Sequence, residues 1–158
     1  MKCAITKGFS FGLTSAVITT LGIIVGLNAT THSETVIIGG ILAIAIADAF
    51  SDALGIHIAE EAEGDHTAKQ IWCATVSTFL TKFVFALTFI IPIIFLTNST
   101  AIWASLIWGL GLLTIFSYYL AKKQKIQPYK VIAEHLLIAV AVILITHLVG
   151  QWIGQIFI

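Results

Sequence analysis

The sequence predicts an all-α integral membrane protein with five transmembrane helices. Three observations lead there. Of the 158 residues, 58% are apolar and only 10% charged, with a mean hydropathy of +1.01. A soluble domain carries about a quarter charged residues, so sixteen charged side chains, eight basic and eight acidic, cannot clothe a water-soluble globule of this size. Five stretches reach the length of about 20 mostly apolar residues that a bilayer crossing needs. The lysines fall in segments that an odd number of crossings puts on one side. The same composition excludes disorder, which requires polar, charge-rich sequence. A formal net charge of zero with no arginine argues against a nucleic-acid partner.

In chain order, the first span covers about residues 9–27, followed by the polar loop Asn28 to Glu34. The second covers about 36–58 and empties into an acidic segment over 60–70. The third is helix-like from Ile71 onwards, but Lys82 argues that only about 79–96 lies in hydrocarbon. Thr97 to Thr100 is a turn, the fourth span covers about 101–120, and the fifth about 131–157. No strand alternation or long repeat supports a barrel or solenoid. The whole chain, 1–158, reads as one transmembrane domain.

Orientation follows from the positive-inside rule. Lys2 and Lys7 precede span one, Lys69 and Lys82 lie between spans two and three, and Lys122, Lys123, Lys125 and Lys130 lie between four and five. This predicts a cytoplasmic N-terminus and an outer or luminal C-terminus. The start lacks the pattern of a cleaved signal peptide, so span one is expected to be retained. Cys3 and Cys73 fall on the cytoplasmic side, where thiols stay reduced.

Span two carries the chemistry. An ionisable side chain at membrane depth costs roughly 2.5–3.5 kcal/mol for a central Asp, and by default marks function. Asp48 and Asp52 lie one turn apart in Ala47-Asp-Ala-Phe-Ser-Asp-Ala-Leu-Gly-Ile-His57. At about 100° per residue they share a stripe with Gly55, Ala59 and Glu63, while Ile46, Phe50 and Leu54 lie opposite. Small neighbours leave room for an ion or water. Two adjacent carboxylates in low dielectric repel, so one is expected to hold a proton until a cation arrives, which suits cation–proton exchange. The plain alternative is a pair of acids satisfied by hydrogen bonds or by Lys82, serving packing alone.

Glu60, Glu61, Glu63, Asp65 and His66 add four carboxylates and an imidazole within seven residues. Hard oxygen donors suit Mg²⁺, Mn²⁺ or Fe²⁺, and imidazole extends the range to softer metals; a solvated helix end is the bland reading. His57, at the cytoplasmic end of span two, joins the candidate ligands. Bis-histidine haem ligation has no supporting motif, and His147 reads as an interhelical donor or proton carrier. Span one presents Gly12, Ser15, Thr19, Gly22 and Gly26 on a small face that lets another helix approach closely in lipid, within the subunit or, as the favoured expectation, across a homodimer.

On these residues the chain resembles the vacuolar iron transporter family of five-span divalent-cation exporters. Ser15-Ala-Val-Ile-Thr-Thr-Leu-Gly-Ile-Ile-Val-Gly-Leu27 is similar to the family's DGLVTTFGIVAGL-like segment. Ala47 to His57 is similar to its AGALSMAAGEY-like segment, Phe85 to Ile94 to its FLLGALIPLL-like third span, and Ile145 to Gly154 to its VTYLIGRLLG-like end. The family's span-one Asp falls at Ser15, or at Phe11 in an alternative register. Its span-two Met falls at Asp52 and the following Glu at Ile56, while both tyrosines become His57 and His147. The long cytoplasmic helical insertion is reduced to roughly Glu60 to Lys69.

The resemblance implies a homodimeric divalent metal transporter for Fe²⁺ or Mn²⁺, exporting from the cytoplasm against protons, with no permanently bound cofactor. On the residues themselves, Asp48 and Asp52 would form the membrane site and Glu60, Glu61 and Glu63 would collect metal at the entrance, with His57 a further candidate ligand. An intramembrane enzyme is the weaker alternative: aspartyl proteases place their two Asp on separate helices, and lipid phosphotransferases usually need basic residues for phosphate, whereas this chain has no arginine. A non-transporting membrane subunit or scaffold is the other.

Overall fold

The computed structural model describes residues 2–157; Met1, Ile158 and the side chains of Lys2, Cys3 and Asn98 lie outside it. Five helices make up nearly all of it: α1 (Lys2–Thr31), α2 (Glu34–Glu63), α3 (Ala68–Phe95), α4 (Asn98–Gln124) and α5 (Pro128–Phe157). All five are long and apolar enough to cross a membrane, and no strand occurs among the described residues.

Local chemistry sets the ends. The polar residues after Leu27 do not stop α1, because Thr30 and Thr31 return their hydroxyls to the carbonyls of Gly26 (2.8 Å) and Leu27 (3.0 Å). The connection shrinks to His32 and Ser33, and Ser33 then caps α2 by accepting from the Val36 N–H. At the other end of α2, Gly64 closes the helix at φ 74°, in the left-handed region that favours glycine. Thr67 and Gln70 open α3 with a reciprocal capping box. Within α3 the helix breaks at Phe89, between Ala68–Thr88 and Ile90–Phe95. Pro92 accounts for the break: it has no N–H for the carbonyl of Thr88, and its ring crowds that carbonyl. Pro128 occupies the first position of α5, where a missing N–H costs nothing.

Helix α1 is the centre of the bundle. Its apolar stripe Leu13, Val17, Leu21 and Ile24 forms one core with Ile37 and Ile41 of α2, Phe89 and Ile93 of α3, and Leu113 and Phe116 of α4. Half of its most apolar window is buried (50%), against 11% for α5, which lies at the periphery. A Cβ on Gly12 would stand 2.7 Å from the Thr78 carbonyl oxygen and 3.3 Å from the Lys82 nitrogen. This glycine therefore sets how closely α3 lies on α1.

The C-terminal half of α1 lies on α5 instead. Gly22 and Gly26 face Val142 and Thr146, and a Cβ on Gly150 would collide with the Gly26 carbonyl. The small face expected to meet a dimer mate is thus occupied within the chain, because α5 runs alongside α1 in the same direction.

Contacts between helix ends fix the topology. Lys7 pairs with Glu60 and Glu63, Lys123 reaches Thr6, and Ser77 bonds the Ile5 carbonyl, so these segments share one end. Gly154 lies beside Thr30 at the other. The helices alternate up and down, and the two termini lie at opposite ends of the bundle.

Candidate functional site

Lys82 is the largest departure from the linear reading. It does not mark a helix boundary: it sits in the middle of α3 and is completely buried. Its Nζ lies 2.5 Å from Asp48 Oδ2 and 2.5 Å from Asp52 Oδ2, and donates to Ser15 Oγ at 2.8 Å. Three helices meet on one ammonium. Gly12 draws the Lys82 backbone against α1, Ser15 lies nearly one turn further along α1, and the lysine stem crosses to α2.

The two acids arrive by a local distortion of α2. Residues Ile44–Asp48 form a π-helical turn, closed by the Ala49 N–H bonding back to the Ile44 carbonyl. Such turns insert one extra residue and recur at functional sites. The buried face of α2 then runs through Ala45, Ala49 and Ala53, with Asp48 and Asp52 along its flank and Ile46, Phe50 and Leu54 outside. Alanines on this face leave room for the lysine to reach both carboxylates.

The acids are only partly covered. Asp48 keeps 35% of its side chain exposed and Asp52 18%, against none for Lys82. The centre therefore has a closed inner side, held by the ammonium, and an open flank on which Ala47, Ser51 and Gly55 are exposed beside the acids. With both carboxylates ionised, the two acids and one ammonium sum to one excess negative charge. An isolated charge in an apolar segment costs several kcal/mol unless compensated, so this arrangement favours a proton or a cation on the open flank.

A second group forms at the lysine-rich end. Glu60 is 1% exposed although it lies near the end of α2; it pairs with Lys7, whose Nζ is also 3.2 Å from Glu63 Oε1. His66 Nδ1 lies 3.3 Å from Glu60 Oε2 and 3.5 Å from Glu63 Oε2. One ligand atom each from Glu60, Glu63 and His66 falls within 4.8 Å of the others, a spacing that suits a metal ion.

The candidate ligands thus separate into two places. Asp48 and Asp52 meet at Lys82, and Glu60 and Glu63 meet at Lys7 and His66; the nearest acids of the two groups, Asp52 and Glu60, are two turns of helix or roughly 12 Å apart along α2. Glu61 is exposed and belongs to neither group. His57 turns to α3, where its Nδ1 lies 2.9 Å from Thr75 Oγ1 and its ring packs edge-on against Trp72. His135 bonds Ser117 on α4 at 2.7 Å. Of the two span-one positions where the resemblance would put an aspartate, Ser15 and Phe11, Ser15 belongs to the Lys82 centre. The sequence offers Lys82 as an edge marker or a neutraliser of the acids and His66 as one imidazole in the acidic segment; the structure joins each to a specific pair of acids. Comparison of the chain with protein-family models, curated proteins and solved structures gives no match.

Proposed function

We propose that this chain is a multi-pass membrane carrier for divalent metal cations, Fe²⁺- or Mn²⁺-like, which exchanges them against protons and exports them from the cytoplasm. The observation that carries the reading is the charge imbalance at mid-bundle: two carboxylates, one buried ammonium and an open flank. Hard oxygen donors suit these metals, and the motif resemblance to the iron transporters supports the same class. Glu60, Glu63 and His66 would then collect metal at the cytoplasmic end, where all lysines but Lys82 gather in accord with the positive-inside rule.

The reading also needs a cover for the acids. Ionisable groups within a membrane span face a bundle interior or a water-filled cavity, not lipid. A homodimer joined along the exposed face of α2, at Ala47, Ser51 and Gly55, would supply that cover, with α1 already engaged by α5. A cysteine at Ser51 should then cross-link to its counterpart in the membrane.

One observation favours a second reading. Because Lys82 reaches both acids and Ser15, the group also suits a fastener joining α1, α2 and α3 in a non-transporting subunit. Purified protein in liposomes separates the two. Mn²⁺ or Fe²⁺ flux that responds to an imposed pH gradient supports the carrier. A sealed, correctly folded preparation without metal flux leaves the fastener.

A further inference from the structure

The ammonium of Lys82 lies 2.5 Å from Oδ2 of Asp48 and from Oδ2 of Asp52, which is where a cation bridging the two carboxylates would sit. A divalent ion bound to those oxygens at about 2.0–2.6 Å would be pressed against the ammonium. Two like charges at such separation in a poorly screened interior exclude one another. A second acceptor is already in place, since Nζ donates to Ser15 Oγ at 2.8 Å on the side of α1. The acids are partly open while the lysine is wholly enclosed, so an ion reaches these carboxylates from the open flank of α2 and the ammonium reaches them from α3.

We propose that Lys82 is a tethered competitor for the transported ion. Its ammonium holds the cation position of the empty carrier, and cargo binding moves it off the carboxylates while it keeps its bond to Ser15. The inference rests on the carrier reading and adds a determinant of specificity to it. The resident charge lowers the empty site from two excess negative charges to one. An entering ion must offer more than the ammonium already supplies: a divalent cation does, whereas a monovalent one brings no more charge. Lys82 therefore selects for divalent over monovalent cargo. The charged neighbours of Lys82 are Asp48 and Asp52 from α2, and α1 contributes the neutral Ser15.

The test is Mn²⁺ binding to the purified full chain in detergent, read from the free-ion paramagnetic resonance signal, with Na⁺ as competitor. Lys82→Met should raise Mn²⁺ affinity on the order of tenfold or more, within the usual range of coupling between ligands, and should let Na⁺ compete. Lys82→Arg keeps the charge and grips both carboxylates with a planar fork, so it should weaken binding by a similar factor. It also decides the matter should the methionine variant fail to fold. Mn²⁺ bound no more tightly by a folded Lys82→Met, or equally well by Lys82→Arg and the unaltered chain, overturns the competitor role and leaves the carrier reading standing. No Mn²⁺ binding that Asp48→Asn removes, in any of the three proteins, overturns the carrier reading and the inference with it.

Discussion

Two groups in this molecule share one recipe, a lysine between two acids of α2, and differ in which partner is buried. At mid-bundle the lysine is enclosed (0%) and its acids, Asp48 and Asp52, are partly open (35% and 18%). At the bundle end the lysine is open (Lys7, 44%), one acid is enclosed (Glu60, 1%) and the other exposed (Glu63, 53%). The difference decides what each can do. Water at the end supplies screening and substitute partners, so an exposed pair is worth little. At mid-bundle no other acid reaches Lys82 among the described residues, and removing its two acids leaves the ammonium on the neutral Ser15 alone.

The largest effect expected from that contrast is on stability. Replacing both Asp48 and Asp52 by Asn leaves the ammonium without a counter-charge and should destabilise the fold by about 3–5 kcal/mol. Either replacement alone leaves one acid for one lysine and should change stability far less. Denaturant titration in detergent distinguishes the single from the double variants. If the double variant is as stable as the singles, Lys82 is not held by charge.

Next in size is the contact that brings α3 onto α1. Gly12→Val places a side chain where the Thr78 carbonyl already stands 2.7 Å from an ideal Cβ. Overpacking of this kind costs up to about 3 kcal/mol, and here it should also pull Lys82 away from Ser15, weakening metal binding along with stability. Ser15→Ala removes one hydrogen bond to a charged group and should cost about 1.5 kcal/mol, with the two acid contacts kept. At the bundle end, Glu63→Gln should change stability by less than about 1 kcal/mol. An effect as large as that of the double Asp variant would erase the distinction between the two groups.

Composition and span length made the five helices legible, because both are properties of neighbouring residues. The acids were legible too, as carboxylates one turn apart in an apolar run. Lys82 was not. In a linear reading a lone lysine in apolar sequence marks the edge of a span, and its partners lie 30 and 34 positions away, on another helix. The close approach at Gly12, visible in the sequence as part of a small-residue face but expected to meet a dimer mate, brings the Lys82 backbone onto α1. The π-helical turn that ends at Asp48 has no signature in the alternating isoleucines and alanines that lead up to it.

The small face of α1 was read correctly as a place of close packing, but its partner, α5, could not be named from spacing. At the end of α2, the assignment of His57 to the metal ligands followed its place in the chain, whereas Thr75 and Trp72 hold its ring. His66 entered the cluster because the chain turns at Gly64 and brings it back over Glu60 and Glu63.

The most direct test of the central claim, that the mid-bundle acids carry the ion while the end cluster only gathers it, is Mn²⁺ flux into liposomes for Asp52→Asn beside Glu63→Gln. The account predicts that Asp52→Asn abolishes flux in a folded protein, and that Glu63→Gln raises the concentration for half-maximal flux with little change in the maximal rate. Normal flux through Asp52→Asn, with Glu63→Gln inactive, would contradict it.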